Sequence, residues 1–79
     1  MSTIPVKPMS AREVLDAYFL ETRAKLIEVA ANLDRVDRAP QFVEIQEDAR
    51  LRFIHDAMAI LQSSQPNRAE LILKLYSKG

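Results

Sequence analysis

The chain has 79 residues, with 11 Lys and Arg against 11 Asp and Glu, one His, no Cys and no Trp. The length allows one domain, and 48% hydrophobic with 28% charged residues is a globular rather than a disordered composition. Zero net charge speaks against a protein that mainly neutralises nucleic-acid phosphates or anionic lipid, and zero Cys excludes disulfides, thiolate metal sites and cysteine nucleophiles.

Residues 1–9 read as an extended arm. Pro5 and Pro8 fix their own φ and push Ile4 and Lys7 away from helical geometry. The segment carries one Lys and no continuous apolar core, so it does not read as a secretory signal. No apolar run approaches the ~18 residues of a membrane span, and the expected setting is cytoplasmic.

A first helix is expected over about 11–36. Ser10 followed three residues later by Glu13 is a capping box, with Met9 and Val14 at the positions of a hydrophobic staple. Leu15, Phe19, Thr22, Leu26, Val29, Leu33 and Val36 then step alternately by 4 and 3, the spacing of a seam that faces another helix. A second stripe, Ala17, Leu20, Ala24, Ile27 and Ala31, steps by 3 and 4 on a separate side. Two stripes imply two neighbours, and the alanines of the second would let one approach closely. Pro40 disfavours helical geometry at Ala39 and so ends the helix before it.

A second helix is expected over about 40–63, with Pro40 in its first turn and Glu44, Glu47 and Asp48 favoured there by the dipole. Its apolar set is Phe42, Ile45, Ala49, Phe53, Ala57 and Ile60. Ser63-Ser64-Gln65-Pro66 breaks the pattern, and a short third helix is expected over about 66–77. The expected architecture is all-α, a three-helix up-down-up bundle forming one helical domain over 10–79.

The charged residues suggest sites only weakly. Asp34, Arg35, Asp37 and Arg38 crowd the corner after the first helix, where such a set could take an anion or a partner. The plainer reading is an i,i+4 pair between Asp34 and Arg38, with arginines complementing the helix dipole. Arg12, Asp16 and Arg23 lie between the two apolar stripes, and Arg23 is expected to reach a carboxylate on this or another helix. Glu21 and Glu28 flank Lys25 and read as a solvated, paired face.

His55 is the single histidine, a candidate base or ligand in principle. The chain has no second histidine, no thiolate and no Glu-x-x-His pair, so neither a metal nor any other cofactor is expected. Nor is there a phosphate loop or a nucleophile elbow, and catalysis is not expected.

A chain of this size builds only a marginal core, and one short third helix cannot cover two stripes of a long first one. The leading expectation is a non-enzymatic interaction or oligomerisation module. Its partner would be a second copy or another protein, with Ala17, Leu20, Ala24, Ile27 and Ala31 as the contact. The alternatives are a small nucleic-acid-binding regulator using Asn67, Arg68, Lys74 and Lys78 of the third helix, or a small-ligand site near the Arg/Asp corner or His55. The neutral chain makes nucleic acid the poorer candidate.

Overall fold

The computed structural model describes residues 9–77, so the expected arm at 1–9 lies, apart from Met9, outside the described residues. The chain is all-α. Helix α1 runs Ala11–Arg38, a 3-10 turn covers Phe42–Ile45, α2 runs Ala49–Gln62 and α3 runs Arg68–Ser77. The all-α class and the order of a long first helix, a second and a short third are as the sequence leads one to expect. The chain divides into two compact units between Ala39 and Pro40.

In the first unit, α1 begins where its punctuation says. The Glu13 amide donates to Ser10 Oγ at 3.1 Å, and the Ser10 amide donates to Glu13 Oε1 at 2.8 Å. Two otherwise orphaned donors are thereby satisfied in the first turn. Met9 and Val14, the staple positions, are both exposed. At the other end Ala39 is extended, φ −70° and ψ 148°, as a residue before proline prefers. The helix is 28 residues long, about 42 Å at 1.5 Å rise.

In the second unit the structure departs from the sequence reading. The helix expected over 40–63 is divided. Gln41 sits in the left-handed region, φ 66° and ψ 29°, which costs a side-chain-bearing residue about 1–2 kcal/mol and ends any continuous helix there. One 3-10 turn follows, and Asp48 then opens α2 afresh. Its carboxylate accepts from the Arg50 amide at 2.8 Å while the Arg50 guanidinium grips the same group at 3.0 and 2.9 Å. An aspartate so placed supplies the acceptor that a helix start needs.

The α2–α3 turn is also tied internally. Ser63 Oγ donates to the Ile60 carbonyl at 2.6 Å, and Arg68 Nη1 donates to the carbonyls of Ser63 at 3.0 Å and Gln65 at 3.4 Å. Helix α3 starts at Arg68 rather than Pro66, with Leu71 N donating to the Asn67 carbonyl at 3.1 Å. Helices α2 and α3 pack on each other. Leu51, 8% exposed, is the buried side chain among the described residues, and Phe42, Ile54, Met58, Ile72 and Leu75 of the same unit are half-buried. Phe53 and Tyr76 meet edge to face, ring centroids 5.6 Å apart at 70°.

Candidate functional site

The feature that stands out chemically is the surface of α1. None of its residues is buried, and only Ala31 and Leu33 are half-buried. At 100° per residue the axes of its two apolar stripes lie about 170° apart, so the helix is apolar on nearly opposite sides. Along the first stripe Leu15 is 63% exposed, Phe19 51%, Leu26 57% and Val29 43%. Along the second, Leu20 is 74% exposed; Ala17, Ala24 and Ile27 are exposed as well, and Ala31 is the half-buried one.

Charges fill the two strips between these stripes, and the strips differ. On one, Lys25 Nζ donates to Glu21 Oε2 at 2.6 Å. That hydrogen bond holds the Glu21 carboxyl below its ordinary range and the Lys25 ammonium above its own. On the other strip Arg12, Asp16 and Arg23 form no side-chain hydrogen bond or ion pair among the described residues. The i,i+4 pair that Arg12 and Asp16 could form is not made, and Arg23 pairs with no carboxylate of α1.

The Arg/Asp corner behaves as an ordinary helix end. Asp34 and Arg38 stand 3.8 Å apart with both side chains mostly in solvent, and Arg35 donates to Asn32 Oδ1 at 2.6 Å. Asp37 is exposed. Asp34 thus pairs with Arg38 and Arg35 with Asn32 along one helix, while Asp37 has no side-chain partner among the described residues. His55 is exposed on α2, and no group of three potential metal ligands occurs among the described residues.

On α3, Arg68 is spent on the turn carbonyls and Lys74 lies 3.5 Å from Glu70; Lys78 lies outside the described residues. Among the described residues no helix is long and apolar enough to cross a membrane.

One concavity was not anticipated. Within the second unit a groove of about 520 Å³ is lined by Ala49, Arg52, Phe53, Ile54, Leu75 and Tyr76, with Arg50 and Asp56 also contributing. Its sequence signal was the pair of aromatics on α2 and α3, which spacing alone does not bring together. Beside it Asp48, held by Arg50, has its carboxyl pulled down to about 2 by the side-chain hydrogen bond and the backbone amide.

The chain matches no protein-family model, no curated protein and no solved structure.

Proposed function

We propose that this small helical protein works as a non-enzymatic interaction and oligomerisation module whose contact surface is α1. The observation that carries the reading is that a 28-residue helix with two apolar stripes has no buried residue. Helices draw most of their stability in water from packing an apolar face, and a contiguous exposed apolar strip marks a contact site. Leu20 and Ile27, with Ala24 between them, Ala17 before and half-buried Ala31 after, form one such strip; the seam from Leu15 to Val29 forms the other. No catalytic motif or ligand cluster among the described residues competes with this reading.

Sedimentation equilibrium of the full chain, from low to high micromolar, tests it. A concentration-dependent rise in mass, lost when Leu15 and Leu26 are both replaced by Asp, is the expected result. A monomer at every concentration, with no gain in helicity as concentration rises, removes the self-association.

A further inference from the structure

Two charges beside the seam carry a more specific statement, which rests on the reading of α1 as a contact surface. Asp16 and Arg23 are seven residues apart, flank the same edge of the seam, and have no ionic partner among the described residues. A partner helix that presented the same two charges in reverse order would satisfy both at once. A second copy of α1 running antiparallel is such a helix. We infer that the protein pairs with itself through an antiparallel α1–α1 contact in which Asp16 of each copy meets Arg23 of the other.

The register follows from heptad geometry. In antiparallel pairs each core residue faces one whose number makes a constant sum with its own, and residues just outside the core pair along each edge. Placing Asp16 against Arg23 of the second copy puts Leu15 against Leu26, Phe19 against Thr22 and Arg12 against Val29, each occurring twice. This accounts for three features at once. Thr22, the small residue of the seam, gives room to Phe19, so large faces small in that layer. Arg12 falls at the ends of the overlap, where its stem can lie on Val29 and its head reach water. On the opposite edge Lys25 falls over Tyr18 of the second copy, a cation against an aromatic face.

The competing registers are poorer. Sliding the antiparallel pair by one heptad toward full overlap sets Arg23 against Arg23 and Lys25 against Lys25 at the twofold axis. Sliding it the other way sets Asp16 against Asp16. A parallel, in-register pair stacks Phe19 on Phe19 and Arg12 on Arg12 within the core and brings no opposite charges together. Like charges face to face oppose association, so these arrangements lose to the first.

The chosen overlap also coincides with the open part of the seam, which runs from Leu15 to Val29 and narrows at half-buried Leu33. From their fractional exposures Leu15, Phe19, Leu26, Val29 and Tyr18 present about 500–600 Å² per helix. Two copies would therefore bury at most about 1,100 Å², just below the usual range for stable specific complexes. A dimer of micromolar rather than nanomolar affinity is expected.

Charge exchange in the full chain tests this. Asp16→Arg alone sets Arg against Arg, Arg23→Asp alone sets Asp against Asp, and each should weaken self-association about tenfold or more. Mixing the two single variants should give a heterodimer of near wild-type affinity, because all four charges are then opposed correctly. As the chain has no Cys, Ala11→Cys gives a clean orientation probe. Spin labels there should lie about 30 Å apart across an antiparallel pair. Circular dichroism of each variant checks that α1 still forms.

Three outcomes overturn the antiparallel register while leaving α1 as a contact surface: single charge variants that associate normally, a mixture that shows no recovery, or an Ala11→Cys variant that readily forms a disulfide between the two copies. A wild-type monomer at all concentrations overturns both.

Discussion

Helix α1 and the α2–α3 hairpin are built from similar residues, yet they hold their shapes by different means. The hairpin buries Leu51, closes an edge-to-face contact between Phe53 and Tyr76, and ties its turn with Ser63 and Arg68. Helix α1 has a complete capping box and in-helix ion pairs at Glu21–Lys25 and Asp34–Arg38, but no buried side chain. Local devices of this sort contribute a few tenths to about one kilocalorie each, whereas a buried leucine contributes several. A segment held by the first kind gains rigidity from any surface packed on it, and under the proposed function the exposed stripes of α1 are what a second copy would cover.

The sharpest way to break this comparison is the same substitution in both regions. Leu51→Ala should cost about 2–4 kcal/mol, comparable to the whole stability available to so short a unit, and should abolish the cooperative urea transition of the hairpin. Leu20→Ala, at an exposed position, should change monomer stability by no more than about 0.5 kcal/mol. Equal losses at the two sites would show that α1 is packed as firmly as the hairpin.

Next in size is the cap of α1. Ser10→Ala removes the acceptor for the Glu13 amide and should destabilise the helix by about 1 kcal/mol, read as faster amide exchange in its first turns. In the hairpin the matching device is titratable. The Asp48 carboxyl is depressed to about 2 when folded, so it ionises more readily in the folded chain than in the unfolded one. Its contribution is therefore complete above the ordinary carboxylate range and is lost as pH falls from about 4 through about 2. Asp48→Asn should flatten the acid limb of the hairpin melting curve, and an unchanged limb would place the acid sensitivity elsewhere.

The smallest effect is at Gln41. Glycine adopts the left-handed region without a Cβ penalty, so Gln41→Gly should raise hairpin stability by at most about 1 kcal/mol, after the entropy that glycine loses. A loss of stability would mean that the Gln41 side chain contributes something its geometry does not reveal.

How much of this was legible beforehand varies with the range of the cause. The start of α1 at Ser10 and its end before Pro40 were readable because each is set within one turn of chain. The break between Gln41 and Asp48 was not. Phe42 and Ile45 in the 3-10 turn and Ala49 and Phe53 in α2 continue one another's spacing, so periodicity passes across the gap as if one helix ran through it. The available signal was Asp48 itself, a strong N-cap residue that spacing arguments absorb as just another acid near a helix start. The Arg/Asp corner was legible as a paired helix end, while the Phe53–Tyr76 groove was not, since it depends on how two helices meet.

From its sequence alone this chain was settled as all-α, with one long helix capped at Ser10 and striped with apolar residues on two sides. Those properties depend on interactions within a few residues, which the order of side chains specifies directly. Tertiary structure decided which leucine is buried and that Phe53 on α2 meets Tyr76 on α3. Each of those depends on segments distant in sequence coming close enough to exclude water, and a pattern read along the chain contains no information about which segments do so.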